Sequence, residues 1–427
     1  MYEALSHSPN KFDGHKVRLN IYRKSSPPKD GIFKFKSKFH GMVRQEDEKW
    51  KSTNDFSIGY TEWGDKGPIL LLLHGAFSNR RIKLPIQELL SPFCRTIAID
   101  ILGMGGEGTS IPQYYGDEEG MSIYQGKEDD STAWDWIHDC DYIHDFMITR
   151  YPNERFFFSG DDWGGGILSH YIDKFPKDLL GAIWVSPISF DGYPVSEIQA
   201  FGRAAMIPRE DQLDDKGVPI LGMDDIIFKN FLSSSDQMMN VIFKQMIFNF
   251  SKYNQYNLRE MKCSYIDTDY ERARWKDGED ANSLTLRLKY DNIRTFCERA
   301  AILSPALLLP YDEKKNPKGV DFTKFRGNAQ VIWGDEDTMN PSNQKWRFKA
   351  VLTNVKSLDI VSISNAGHFV ETDQPEKVAE AMFNFMSNIV GINKMGDICL
   401  GFQGIWKGDE REMIKDLRKL WNLGLNE

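Results

Sequence analysis

An apolar run, Phe156-Phe-Phe158, leads into Gly160-Asp161-Asp162-Trp163-Gly164-Gly165-Gly166, which sets small residues two before and two after a central aspartate. A strand that turns sharply into a helix crowds its backbone at those two flanking positions. Glycine tolerates the crowding, and the turn projects the central side chain outward as a nucleophile. That position is normally serine; here it is Asp162. Asp161 fits the role poorly, because its own neighbours two residues away are Ser159 and the bulky Trp163. Taken alone, the motif is equally compatible with a glycine-rich turn whose aspartate caps the next helix.

Two further segments give the aspartate company. Val331-Ile-Trp-Gly334-Asp335-Glu336-Asp337 reads as a strand ending in an acidic turn, and Ser364-Asn-Ala-Gly367-His368 sets a histidine on a loop after the next strand. Upstream, Leu73-His74-Gly75-Ala76-Phe77 follows an early strand. Gly75 permits a tight turn there, so the N–H of Ala76 or Phe77 could face a developing oxyanion beside the N–H of Trp163. His74 reads as a brace for that loop.

The elements that must position these residues follow from periodicity. Ile69–Leu73, Thr96–Asp100, Arg155–Ser159, Gly181–Val185, Ala329–Trp333 and Ser357–Val361 are short, mostly apolar runs, as in strands covered on both faces of a parallel sheet. Helical patterns over Trp134–Tyr151, Gly166–Lys174 and Glu376–Ile389 alternate with them. This alternation predicts an α/β domain with a mostly parallel sheet and helices on both faces. The expected organisation is an N-terminal extension over 1–55, irregular or weakly paired, then a first core part over 56–187. A mainly helical cap follows over 188–325, a second core part over 326–392, and a C-terminal extension over 393–427 with an amphipathic helix at Arg411–Trp421.

The order nucleophile, acid, histidine, each leaving a different strand, resembles the α/β-hydrolase superfamily. The elbow Asp162-Trp163-Gly164-Gly165 is similar to that of its aspartate-nucleophile branch, the epoxide hydrolases and haloalkane dehalogenases. The resemblance implies Asp162 as nucleophile, Asp337 orienting His368, an oxyanion hole of Ala76, Phe77 and Trp163, and no cofactor or metal. It departs from the branch at Phe77, often Pro, at Ala76, which many dehalogenases replace with a halide-holding Asn, and at Asp161, commonly His or Gln. Asp161 is expected to point away, bonded to backbone or cap, since two buried neighbouring carboxylates would perturb each other. Asp100–Ser110 matches the branch's glycine loop and, formally, G-x-G-x-x-G. Pro112 and a polar stretch follow instead of a helix, which excludes a dinucleotide site.

A carboxylate nucleophile attacks saturated carbon and forms an alkyl ester, which a histidine-activated water then hydrolyses. The implied substrate is therefore an epoxide or a carbon–halogen compound. The cap carries Tyr193, Tyr253, Tyr256, Tyr265, Tyr270, Tyr290 and Tyr311 but a single tryptophan, Trp275, which favours the hydroxyl donors that an epoxide needs. Tyr256 and Tyr290 are the candidate pair. Dehalogenation of a haloalkane or haloacid is the alternative, and a catalytically weak ligand-binding relative is a third reading of a different class.

Composition fits these expectations. Lys+Arg 53 against Asp+Glu 62 gives a net charge of −9, which offers no general attraction for nucleic acid or an anionic membrane. No apolar run approaches the ~18 residues of a membrane span. The start lacks the basic-then-apolar layout of a secretory signal. Five scattered cysteines without a C-x-x-C suit reduced thiols and a cytoplasmic enzyme. The expected partners are a small hydrophobic substrate and water.

Overall fold

The computed structural model describes residues 27–44, 50–76, 78–105, 108–116, 136–196, 295, 299–300, 303–391 and 394–395. Strands β1 (Lys29–Arg44), β2 (Trp50–Trp63), β3 (Ile69–Leu73), β4 (Arg95–Ile99), β5 (Gln113–Gly116), β6 (Phe156–Asp162), β7 (Leu179–Pro187), β8 (Asn328–Gly334) and β9 (Ser357–Ile363) form one sheet in the order β5-β1-β2-β4-β3-β6-β7-β8-β9. From β4 to β9 every pairing is parallel, whereas β1, β2 and β5 join antiparallel. The helices are α1 (Leu84–Leu90), α2 (Trp136–Arg150), α3 (Trp163–Lys174), α4 (Lys345–Val351), α5 (Val370–Asp373) and α6 (Pro375–Val390). No helix among the described residues is long and apolar enough to cross a membrane.

The continuous apolar strands divide their side chains between two cores, because successive residues point to opposite faces. Ile69, Leu71 and Leu73 join Trp136, Phe146, Ile167 and Tyr171, on the side of α2 and α3. Leu70 and Leu72 join Ile86, Leu90, Met382 and Phe385, on the side of α1 and α6.

The lead-in differs from expectation. From Lys29 onward it is a strand, and its burial alternates residue by residue. Phe33, Phe35 and Phe39 are half-buried, while Lys34, Lys36 and Lys38 face solvent. Phe33 meets Phe146 edge-on with ring centroids 5.3 Å apart, and Phe35 stacks on Tyr142 at 5.3 Å. Charged residues on the solvent face of an antiparallel strand are ordinary; the lysines obscured a period of two.

The chain leaves the sheet after β7 and re-enters it at β8, next to β7. The two described ends of the intervening segment meet, with the Phe190 N–H donating to Leu308 O at 3.0 Å. Residues 303–325 are short 3-10 turns and bridges packed on the core rather than a helix. Most of the segment, including Tyr256 and Tyr290, lies outside the described residues, as does Arg411–Trp421.

The glycine loop after β4 is a structural clasp. Asp100, fully buried, accepts hydrogen bonds from the Arg80 backbone at 2.7 Å, the Arg80 guanidinium at 2.5 Å and the Thr109 hydroxyl at 2.6 Å. Thr109 in turn accepts from the Gly59 N–H of β2 at 2.8 Å. Removing one partner of a buried pair strands the other charge, at a cost of about 3–5 kcal/mol. Asp100→Ala is expected to lose stability on that scale in urea denaturation; a loss below about 1 kcal/mol would mean that Arg80 finds another partner.

Candidate active site

Four connections at the carboxyl end of the parallel strands build the site, as expected of an open α/β sheet. Asp162 ends β6 with φ 48° and ψ −120°, a conformation that costs a non-glycine residue on the order of 1–3 kcal/mol. Backbone packs against the turn on both sides. A Cβ on Gly160 would lie 2.2 Å from Gly164 O, and one on Gly164 would lie 2.7 Å from the carbonyl oxygens of Leu73 and His74. Asp162 precedes α3 but its side chain makes no capping bond to it, which removes the reading of a mere helix cap.

The carboxylate instead spans two partners. Oδ1 accepts from the Ala76 N–H at 2.7 Å, and Oδ2 lies 3.1 Å from His368 Nε2. A Cβ on Gly75 would meet Asp162 Oδ1 at 2.7 Å, so glycine is required for that approach. Trp163 heads α3, whose N-terminal dipole favours a negative charge at this point. Phe77 lies outside the described residues.

Asp337 and His368 come from neighbouring strands. His368 Nδ1 meets Asp337 Oδ2 at 3.1 Å, while Asp337 Oδ1 accepts from the N–H groups of Met339 and Asn340, both at 2.9 Å. The other two acids of the turn have separate tasks. Glu336 accepts from the backbone of Asn365 and Ala366, and Asp335 pairs with Lys345 at 3.0 Å. His74 braces the first loop as expected: its Nε2 accepts from the Ile101 N–H at 2.9 Å, so Nδ1 carries the proton and donates to Gly75 O at 2.7 Å. Burial holds His74 below the usual histidine range, against the pull of Asp100.

His368 behaves in the opposite way. Burial alone would lower its pKa, but both ring nitrogens face carboxylate oxygens, which only accept. Asp337 and Asp162 together raise it from 6.5 to about 10. The resting arrangement is an imidazolium between two carboxylates.

The α/β-hydrolase fold pattern matches residues 68–373 of the sequence. The chain belongs to the α/β-hydrolase fold family. Among solved structures of this family, an epoxide hydrolase aligns with 84% of this chain and 100% of its own, at TM-score 0.50 and 14% identity. A thermophilic esterase from Thermogutta terrifontis aligns with 82% of this chain and 98% of its own, at TM-score 0.48 and 14% identity. An α/β-hydrolase fold protein from Burkholderia ambifaria gives 82% and 100%, at 0.48 and 16%. At such identities the likeness is one of fold. No curated protein matches the sequence.

Two features of this α/β-hydrolase site escape sequence reasoning. Asp161 does point away from Asp162, but to neither backbone nor cap: it binds the ammonium of Lys83. Tyr193, one of seven cap-segment tyrosines, is buried beside the elbow. Burial and then the charge of Asp162 push its hydroxyl well above the usual tyrosine range, while the Trp163 side chain, as donor, pulls it back. Tyr193 follows β7 closely, at the point where the chain leaves the carboxyl edge of the sheet, and that position is its only signal in the sequence. Tyr311, by contrast, is exposed.

A group whose pKa rises on folding stabilises the fold below its unfolded pKa and loses that contribution as pH climbs through the folded value. The stability supplied by His368 is therefore expected to be full below about 6.5 and to fade as pH rises to about 10. The gap in Tm between wild type and His368→Gln should shrink steadily across that window. A gap independent of pH would mean that the ring is not held charged.

Proposed function

We propose that this α/β-hydrolase hydrolyses an epoxide on a hydrophobic small molecule through an alkyl-enzyme ester on Asp162. The supporting observation is the carboxylate itself, at the elbow where serine would stand, with one oxygen on the Ala76 N–H and the other beside His368. A serine needs its histidine before it can attack. An ionised aspartate attacks unaided, and its natural electrophile is a saturated carbon bearing a leaving group.

In the first step Asp162 Oδ2 bonds to an epoxide carbon, that carbon's bond to the ring oxygen breaks, and the alkoxide takes the hydroxyl proton of Tyr193. In the second step the Tyr193 phenolate takes the proton of the His368 imidazolium, the neutral ring then removes a proton from water, and the hydroxide adds to Cγ of the ester. Oδ1 carries the developing charge against the N–H groups of Ala76 and Trp163. The tetrahedral species then expels the diol oxygen, which takes the proton from His368. The proton left on the Asp162 carboxyl then passes to His368 and restores the imidazolium beside the carboxylate. Asp337 keeps Nδ1 protonated and holds the ring in place.

The buried hydroxyl of Tyr193 supports an epoxide over a halide, because an alkoxide needs a proton and a halide does not. Dehalogenation finds its own support in the Trp163 indole N–H, which reaches the same corner of the site.

Single turnover in ¹⁸O water tests the covalent scheme: one labelled oxygen is expected in Asp162, and a protein that turns over without labelling it uses another nucleophile. Asp162→Ala should abolish turnover. The leaving group is tested by Tyr193→Phe. Loss of a proton donor costs about 10²–10⁴-fold, so kcat on styrene oxide should fall steeply while any activity on 1,2-dibromoethane persists. An unchanged rate on the epoxide would remove Tyr193 from the mechanism.

A further inference from the structure

Behind the elbow lies a charge cluster that the proposed chemistry leaves unused. The Lys83 ammonium, wholly inaccessible, binds both the Asp161 and Glu371 carboxylates, which are 9% and 6% exposed. Burial alone would strip the proton from Lys83, but the two carboxylates more than offset it and hold the ammonium charged. The second Glu371 oxygen, Oε1, is buried and makes no hydrogen bond among the described residues. Burial raises the Glu371 carboxyl to about 7, with Lys83 opposing and Asp161 reinforcing. A lysine enclosed to this degree is expensive unless paired, and an apolar residue would fill the space at lower cost.

The connectivity of the three residues indicates what the cluster does. Lys83 closes the 3-10 turn Arg80–Lys83 in the connection that carries Ala76. Asp161 adjoins Asp162, and Glu371 lies three residues beyond His368, on α5. One ammonium therefore touches all three connections that meet at the Asp162 carboxylate. The base has the longest reach. His368 follows β9, which is separated from β6 by β7 and β8, so about 14 Å of sheet lies between the two strands at about 4.8 Å per spacing. The acid turn holds the histidine loop from the β8 side, through Asp337 and Glu336. Lys83 holds it from the side of the elbow.

We infer that Lys83 is a positioning residue, a pin that sets the Asp162–His368 approach by joining the elbow, the histidine loop and the oxyanion connection. The effect falls on the step that needs His368. Attack by an ionised Asp162 tolerates a displaced ring, whereas ester hydrolysis does not. The inference rests on the covalent reading for its kinetic consequence but not for its geometric one, and the two are measured separately.

The informative variant is Lys83→Met with Asp161→Asn, which removes the pin and one of its two carboxylates; Glu371, no longer opposed by the ammonium, is expected to take up a proton. Its folding is checked by circular dichroism and thermal unfolding. With styrene oxide as probe, the mass adduct on Asp162 should form at close to the wild-type rate and persist, with hydrolysis slowed ten-fold or more and kcat falling further than kcat/KM. Independently of any substrate, the His368 ring titration followed by NMR should move down by at least one pH unit, since a displaced ring loses the two carboxylates that hold it charged. A folded double variant with wild-type hydrolysis and an unmoved His368 titration overturns the inference. So does one in which adduct formation and hydrolysis slow equally. If wild type forms no adduct, the covalent reading fails, and the titration alone decides for or against the pin. Should the double variant not fold, Glu371→Gln keeps size and loses one charge; a smaller shift in the same direction supports the pin, and none overturns it.

Discussion

A buried carboxylate at the tip of β6 is the constraint to which the rest of the site conforms. Asp162 is 6% exposed, and a negative charge taken that far from water must be met by donors or positive charge. The donors are the Ala76 N–H, the amino end of α3 and the protonated ring of His368. Each of these imposes its own demand. Ala76 comes within range because Gly75 has no side chain, α3 begins where it does because Gly160 and Gly164 let backbone pass backbone, and His368 keeps its charge because Asp337 lies behind it. Local strain at Asp162 is tolerated because partners on three sides over-determine its position.

The sheet supplies these partners at a common edge. In a parallel array every strand ends its carboxyl terminus on the same side, so loops from β3, β6, β8 and β9 converge without any long excursion of the chain. Convergence alone leaves their separations loose, and buried polar contacts tighten them. Gly334 packs so closely on the histidine loop that a Cβ there would lie 2.3 Å from Gly367 O. Glu336 accepts the N–H groups of Asn365 and Ala366, and the Lys83 cluster secures the opposite flank.

Much of this arrangement was legible in the sequence, because the signals were local. The parallel strands are apolar runs, the elbow is a pattern of small residues around an acid, and Asp337 and His368 follow strands in an order that few folds share. What escaped notice depended on tertiary placement. Lys83, in Arg80-Arg-Ile-Lys83, has the look of a solvated basic turn, and nothing near it announces partners at Asp161 and Glu371, the latter almost three hundred residues away. Tyr193 could not be told from six other tyrosines, because its place beside Asp162 depends on the path of the chain after β7. Strand β1 was hidden by its lysines, whose alternation with Phe33, Phe35 and Phe39 is the signature of a strand with one buried face and not of a coil.

The charge state of His368 links the two halves of the proposed reaction. An imidazolium cannot serve as a base, and with a pKa of about 10 the ring is protonated at neutral pH. That would be a defect in an enzyme whose histidine had to act first. An aspartate nucleophile needs no base, so a protonated ring costs the first step nothing. Alkylation then turns Asp162 into a neutral ester and removes one of the two carboxylates that held the proton. The ring's affinity for it falls, the Tyr193 phenolate left by the first step can take it, and His368 becomes able to accept a proton from water only once there is an ester to hydrolyse. Asp337 cannot by itself restore the former value, because its contribution was only part of the elevation. In the proposed reaction the alkylation of Asp162 thus times the base, which is released only when its own substrate, the ester, has formed.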